Sequence, residues 1–164
     1  VLGAGGAARG VSMATTMYNP KKITIANRNP NRGANLAADL KREWGGQVEF
    51  ITLDDDRLST IAGNSDVIVQ TTTVGMRHGP DETGKSIPVL CISPSTIVYD
   101  LVYNPSITPF MRMATDQNAQ VYGGLSMLVH QGAIAFELWT GVVAPTQIMF
   151  EAARKSLAKK LNES

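Results

Sequence analysis

The stretch that decides the fold is the first ten residues, Val1-Leu2-Gly3-Ala4-Gly5-Gly6-Ala7-Ala8-Arg9-Gly10. Two apolar residues lead straight into a glycine-rich turn, and the turn leads into residues 11–18, whose composition permits a helix. The pattern predicts a strand, a turn and a helix in that order. Because strands usually contain about five or six residues and only the last two are present, we expect this sequence to be a piece of a longer chain, cut inside or just before the strand.

Three small residues in this turn follow the spacing Gly-x-Gly-x-x-Ala, a dinucleotide-binding fingerprint when it lies between a strand and a helix. Gly3 permits the tight turn, Gly5 lets the backbone approach a pyrophosphate, and Ala8 lets the helix pack closely on the strand. The first turn of the helix offers unpaired N–H groups to the phosphates. We predict a dinucleotide site here, against the alternative of a glycine turn without a ligand.

The residues after the second predicted strand indicate which dinucleotide is bound. An Asp or Glu at this point would bind the ribose 2′-hydroxyl of NAD, but the sequence from 27 to 32 is Asn-Arg-Asn-Pro-Asn-Arg and contains no carboxylate. Arg28 and Arg32 can bind a 2′-phosphate, and Arg28 can also stack on adenine. We therefore predict NADP(H), against the alternative that both arginines are solvated charges at the start of a helix.

Beyond this point, strand and helix patterns alternate as in a parallel sheet. The predicted strands are residues 22–26, 48–53, 66–70, 96–102 and 120–122, and the predicted helices are 31–44, 54–61, 108–116, 125–139 and 144–161. Residues 71–88 form a long loop. The helix at 125–139 is apolar nearly all round, so we expect it to be buried or covered. The fold class is α/β, a Rossmann-like doubly wound, mostly parallel sheet with helices on both faces.

The composition agrees with one globular domain over residues 1–164, with 18% charged residues and a net charge of +1. This balance gives no reason to expect nucleic acid as a partner, and no apolar run of about 18 residues exists to form a membrane span. Cys91 is the single cysteine and lies in an apolar stretch, so we expect a buried, inert thiol and a reducing cytoplasmic setting. With two distant histidines, no metal site is expected.

Three further segments make a family resemblance specific. They are Gln70-Thr71-Thr72-Thr73-Val74-Gly75-Met76, then Tyr99-Asp100-Leu101-Val102-Tyr103-Asn104-Pro105, then Gly123-Gly124-Leu125 with Met127-Leu128-Val129 and Gln131-Gly132-Ala133. Together with the glycine turn and the arginine segment, they resemble the NADP-binding C-terminal domain of shikimate dehydrogenase over essentially the whole chain. The sequence departs from the family at Gln70, where Asn is usual, and at Thr73, which is often Pro.

The resemblance implies a role for each matching position. The pyrophosphate turn is Gly3, Ala4, Gly5, Gly6 and Ala7, the 2′-phosphate and adenine segment contains Asn27, Arg28 and Arg32, and the nicotinamide contacts are Leu101, Gly124 and Met127. Tyr103 and Gln131 match substrate contacts. Thr71, Leu101 and Gly124 also follow strand carboxyl ends, where open α/β sheets bind ligands. The Gln131 amide, on an apolar helix, is either paired internally or faces a polar ligand, and His130 beside it is expected to lie on the helix surface.

The family reduces 3-dehydroshikimate to shikimate with NADPH, in the route through chorismate to aromatic amino acids. The resemblance implies that proton transfer, which must accompany hydride transfer to a ketone, falls to a Lys and an Asp of an N-terminal domain absent from this sequence. We therefore expect no catalytic residue in this chain and no turnover by it alone. The family's C-terminal helices return toward that domain, so their apolar surface would be exposed here and could drive self-association, a homodimer included.

Three other functions stay open. One is a quinate/shikimate dehydrogenase, whose relatives sometimes accept NAD. Another is a non-catalytic module that senses NADP(H), although such a module has no need for Tyr103 and Gln131. The third is a different two-domain enzyme with this fold, such as a methylenetetrahydrofolate dehydrogenase or a glutamyl-tRNA reductase, which the segments around Tyr103 and Gln131 fit less well.

Overall fold

The computed structural model describes residues 1–162, which form five strands and six helices. The strands are β1 (Ile23–Asn27), β2 (Val48–Thr52), β3 (Val67–Gln70), β4 (Ile97–Asp100) and β5 (Gln120–Gly123). The helices are α1 (Gly6–Thr16), α2 (Pro30–Trp44), α3 (Leu58–Gly63), α4 (Pro109–Asp116), α5 (Leu125–Thr140) and α6 (Thr146–Asn162). None of these helices combines the length and apolar character needed to cross a membrane.

One residue, Leu2, joins two groups of parallel strands into a single sheet. Strand β1 pairs with β2, and β3, β4 and β5 pair in that order. Leu2 lies between the groups and bridges in parallel to Ala26 on one side and Gln70 on the other. Its N–H donates to the Val69 carbonyl over 2.8 Å, and the Gly3 N–H donates to the Ala26 carbonyl over 2.8 Å. The predicted parallel, doubly wound sheet is confirmed.

Helices cover both faces of this sheet, because successive strand side chains point to opposite sides. On one face, Ala8 of α1 and Leu36 and Leu40 of α2 pack against Ile25 of β1. On the other face, a second cluster joins helices α3 and α4 to the sheet; its members include Leu2, Ala26, Leu58, Ala62, Ile68, Val98, Phe110 and Ala114.

Most predicted boundaries lie within two residues of the observed ones, but two helix starts are wrong. Helix α1 begins at Gly6 rather than at residue 11, because the glycine turn continues directly into helical backbone with Gly5 as its N-cap. Helix α3 begins at Leu58 rather than at residue 54. The Asp55 carboxylate accepts the Arg57 N–H over 2.9 Å, and this local turn delays the helix.

The loop after β3 is longer than predicted: it runs to residue 96 without a helix or strand. The Asp81 carboxylate orders its middle by accepting hydrogen bonds from the backbone N–H of Ser86 (2.6 Å) and Lys85 (3.3 Å) and from Thr83 Oγ1 (3.0 Å). Hydrogen bonding from Ser86, reinforced by Thr83 and Lys85, lowers the pKa of Asp81 to about 2.

Two expectations about burial are wrong. Helix α5 is not covered along its whole length, since Leu138 and Trp139 are 79% and 85% exposed; helix α6 packs on a different side, where Met149 approaches Gly132. Cys91 is an exposed free cysteine rather than a buried one. Its neighbours Leu90 and Ile92 are buried, so alternation along the extended segment turns Cys91 toward solvent.

We predict that Leu2→Ala lowers the free energy of unfolding by about 2–5 kcal/mol, the usual cost of truncating a buried leucine. The measurement is urea unfolding followed by circular dichroism. Val67→Ala is the matched control: Val67 lies on β3 but is 52% exposed, so its loss should stay below about 1 kcal/mol. Equal losses of unfolding free energy in Leu2→Ala and Val67→Ala would contradict the expectation that Leu2 contributes more to stability than an exposed residue of the same sheet.

We predict that Asp81→Asn lowers the melting temperature at pH 7 and has little effect near pH 2. The folded pKa of Asp81 lies below its ordinary value of 3.8, so the ionised carboxylate stabilises the fold above pH 3.8, and this contribution disappears as pH falls through about 2. Thermal unfolding of both proteins across this range is the measurement. Asp56→Asn, at an exposed carboxylate without a hydrogen bond among the described residues, is the control and should change little at either pH. A difference in melting temperature between wild type and Asp81→Asn that does not change with pH would contradict this prediction.

Candidate dinucleotide-binding site

The glycine turn lies at the edge of the sheet where the parallel strands end. Asn27, Gln70, Asp100 and Gly123 are the last residues of β1, β3, β4 and β5 and share this edge. The chain proceeds from Leu2 to β1 and β2 on one side and then crosses to β3 on the other. This reversal of strand order makes a crevice at the point where open α/β sheets bind ligands.

Gly3 is required by two independent constraints. Its φ angle is +113°, which side-chain-bearing residues rarely adopt, and an added Cβ would lie 2.5 Å from Thr71 Oγ1. The Thr71 hydroxyl donates to the Leu2 carbonyl over 2.7 Å. The structure therefore brings the predicted residue Thr71 directly against the predicted phosphate turn.

The start of helix α1 is open toward this crevice. Gly5 is the N-cap, no side chain caps the helix, and the first turn contains no acidic residue. Gly5 and Gly6 are exposed, and a Cβ at either would meet nothing within 4 Å. Ala4 is half-buried and Ala7 is exposed, whereas Ala8 is fully buried against the sheet. The geometry fits a phosphate group bound by the free backbone N–H groups.

The arginine segment follows β1 next to this turn. The Asn27 side-chain amide donates to the Asn29 carbonyl over 2.8 Å, and Asn29 Oδ1 caps helix α2 by accepting the Arg32 N–H over 3.0 Å. Arg28 and Arg32 are both exposed. Among the side chains that the structure describes, those of residues 1–158, neither guanidinium makes an ion pair or a hydrogen bond, and cations are unfavourable at a helix N-terminus. Both are therefore available to an anionic ligand.

On the other side of the turn, Leu101 and Gly124 pack backbone against backbone. A Cβ at Gly124 would lie 2.0 Å from the Leu101 carbonyl oxygen, so only glycine fits. The Gly124 N–H donates to the Val102 carbonyl over 3.2 Å. Met127 is half-buried in the first turn of α5. Among the hydrogen bonds of the described residues, none connects this group to the arginine segment.

The two predicted substrate residues are accessible. Tyr103 is 37% exposed just beyond β4. Gln131 is also exposed, so the premise that its amide is buried and needs a partner is wrong, because water can satisfy it. His130 lies on the surface of α5, as predicted, with its ring 5.6 Å from that of Phe150 in an edge-to-face contact.

Sequence reasoning missed a buried polar network under this edge. Asp100 is 0% exposed. Its carboxylate accepts from Thr108 Oγ1 (2.6 Å), the Val102 N–H (2.9 Å) and Gln70 Nε2 (3.2 Å). Burial raises the pKa of Asp100, although hydrogen bonds from Thr108 and Val102 oppose the shift. The sequence pattern that could have indicated this network is that Gln70 and Asp100 each end an apolar strand; the structure shows that they are direct partners in the sheet.

The described residues contain no group of three or more His, Cys, Asp or Glu side chains arranged to hold a metal ion. Apart from the buried Asp100 carboxylate, the polar groups described above at the strand ends are backbone N–H groups, guanidinium groups and neutral hydroxyl and amide groups. These donors suit a phosphate-bearing organic ligand.

Comparisons with known proteins agree with this geometry. The family model for the shikimate 5′-dehydrogenase C-terminal domain matches residues 124–154. A curated relative, shikimate dehydrogenase (NADP(+)) from Methanopyrus kandleri, is 41% identical over 157 residues, which are 96% of this chain and 54% of the relative. The chain thus spans about half the length of the curated relatives that it matches.

Solved structures show the same similarity. Shikimate 5-dehydrogenase from Listeria monocytogenes in complex with shikimate and NAD has a TM-score of 0.83 and 29% identity, over 92% of this chain and 53% of that one. Quinate dehydrogenase from Corynebacterium glutamicum in complex with NAD has a TM-score of 0.81 and 27% identity, over 95% of this chain and 54% of that one. In sequence and in fold, this chain is similar to the C-terminal domain of shikimate dehydrogenases.

Proposed function

We propose that residues 1–164 are the NADP-binding domain of a shikimate dehydrogenase, which interconverts 3-dehydroshikimate and shikimate. The observation that carries this proposal is the uncapped start of α1 at the same sheet edge as Arg28 and Arg32, whose exposed guanidinium groups have no ion pair or hydrogen bond among the described side chains. The pair of cations matches a 2′-phosphate, which distinguishes NADP from NAD. The name of the Methanopyrus kandleri relative, an NADP(+) enzyme, supports the same cofactor.

Each part of the strand edge has its own task in this proposal. The backbone of Gly3–Ala7 binds the pyrophosphate, while Asn27, Arg28 and Arg32 bind the adenosine 2′-phosphate. Thr71, Leu101, Gly124 and Met127 surround the nicotinamide end. Tyr103 and Gln131 contact the substrate. Bound NADPH supplies the hydride, and the chain holds the cofactor so that its reactive face meets the ketone.

The proton and the remaining substrate contacts come from outside this chain. The curated relatives are about twice as long, and we assign the catalytic Lys and Asp to an N-terminal domain in that additional length. The exposed apolar side chains at the end of α5, Leu138 and Trp139 among them, support a surface that this domain covers in the whole enzyme. A homodimer formed through this surface is the competing outcome.

The setting of the enzyme and its substrate are also part of the proposal. A cytoplasmic location is supported by the free thiol of Cys91, since reducing compartments keep thiols unpaired. Quinate is the alternative substrate, because the quinate dehydrogenase structure resembles this chain almost as closely as the shikimate dehydrogenase structure does.

We predict that the chain binds NADPH at least about tenfold more tightly than NADH, since charge-assisted hydrogen bonds contribute about 1.5–3 kcal/mol each. The double variant Arg28→Ala/Arg32→Ala should lose this preference, because its affinity for NADPH should fall more than its affinity for NADH, which shares the adenine but lacks the 2′-phosphate. Fluorescence titration measures both affinities. Arg112→Ala, which removes an exposed arginine of α4, is the matched control and should retain the preference. Equal affinities of the wild-type chain for the two cofactors would refute the assignment of NADP.

We predict that the chain alone gives no steady formation of NADPH from shikimate and NADP, because we assign the proton acceptor for the reaction to the N-terminal domain. Absorbance of NADPH is the measurement, with the full-length Methanopyrus kandleri relative as the positive control. Steady formation of NADPH by the chain, retained after repeated purification, would show that the catalytic groups lie within it.

A further inference from the structure

The buried carboxylate of Asp100 is the least expected group at the strand edge. It has no exposed surface, and no cationic side chain in the described part of the chain pairs with it. Burying a charge without an ionic partner is unfavourable unless hydrogen bonds replace its hydration. Three hydrogen-bond donors replace that hydration here. The donors therefore determine the position of the carboxylate, and the carboxylate determines the positions of the donors.

Those donors come from three segments that are separated along the chain. Thr108 is the N-cap of α4. Its Oγ1, which donates to the Asp100 carboxylate, also accepts the Met111 N–H over 3.1 Å. Val102 follows β4 and accepts the N–H of Gly124 with its own carbonyl. Gln70 ends β3. Asp100 therefore fixes the backbone from Leu101 to Val102, on which Gly124 packs without space for a Cβ.

Gln70 extends the network into the loop after β3. Its Oε1 accepts from the Thr72 hydroxyl over 2.7 Å, and its Nε2 donates to the Val74 carbonyl over 3.0 Å. Thr71, between these residues, binds the backbone of Leu2 beside the phosphate turn. Leu101 and Gly124, and also Thr71 beside the phosphate turn, are thus all within one chain of contacts that leads back to Asp100. The arginine segment is not part of it.

We propose that Asp100 is a positioning residue for the nicotinamide half of the cofactor. Its buried carboxylate fixes the backbone position of Leu101 and Val102, and this backbone in turn fixes the position of Gly124. The adenosine half binds independently at Arg28 and Arg32. This inference rests on the proposed function, because it requires that the chain bind NADP(H). It goes further by dividing the site into two halves with separate structural supports.

The test compares two ligands. NADPH engages both halves, whereas adenosine 2′,5′-bisphosphate carries only the adenosine half. Asp100→Asn should weaken NADPH by about tenfold or more and change the bisphosphate by less than about threefold, as measured by calorimetric titration. Thr108→Val, which removes one donor to the carboxylate, should act in the same direction, and Thr108→Ser, which keeps the hydroxyl, should restore NADPH binding.

Thr96→Val is the matched control. Thr96 is also fully buried, and its hydroxyl donates to the Ser65 carbonyl over 2.8 Å at the opposite end of the same strand. Its replacement removes a buried hydrogen bond of the same kind without touching the network, so both ligands should bind as to the wild type. If Asp100→Asn does not fold, the comparison of Thr108→Val with Thr108→Ser decides the proposal.

The outcomes separate the two proposals. If the wild type binds neither ligand, the proposed function fails, and this inference fails with it. If the wild type binds both, and the Asp100 and Thr108 variants bind NADPH as tightly as it does, the positioning role alone is overturned. A parallel loss of both ligands also overturns it, because the carboxylate would then support the whole fold and not one half of the site.

Discussion

The backbone pairing of Leu2 is the interaction on which the rest of the structure depends. One residue bridges to Ala26 and Gln70 and so holds two separately paired groups of strands in one sheet. Because the glycine turn begins at the next residue, the same pairing places that turn at the point where the strand order reverses. Fold and site therefore have a common origin. A crevice exists at this edge because the strand pairing ends at Leu2 and the chain leaves the sheet at Gly3.

The two ends of the crevice rely on different physical effects. The arginine segment presents exposed charge that no described side chain, up to residue 158, pairs with, so its attraction for phosphate is long-range and weakens with added salt. At the Leu101–Gly124 end, the determining effect is steric, since the two backbones approach so closely that no side chain fits between them. In the proposed function, charge attracts the cofactor to the first end, and shape defines its position at the second.

The sequence allowed prediction of the features that depend on local pattern. The alternation of strand and helix patterns predicted the parallel sheet, and the predicted end of α2 at residue 44 is confirmed, since Gly45, with a φ of +76°, follows it as the C-cap. Features that depend on three-dimensional neighbours could not be predicted from the sequence. Cys91 lies in an apolar stretch, but the burial of Leu90 and Ile92 turns it outward. The partners of Asp100 come from three segments, and no local pattern shows that Thr108 and Gln70 meet at one carboxylate.

The exposed end of α5 has an optical consequence. The chain contains two tryptophans. Trp44 packs over Gly46 at the end of α2, where its ring lies close to the glycine backbone, whereas Trp139 is 85% exposed among apolar neighbours. Whatever covers that surface transfers the Trp139 indole from water to an apolar environment and shifts its emission to shorter wavelength, while Trp44 remains as an internal reference. The protein thus contains a fluorescent reporter of any contact made at this surface.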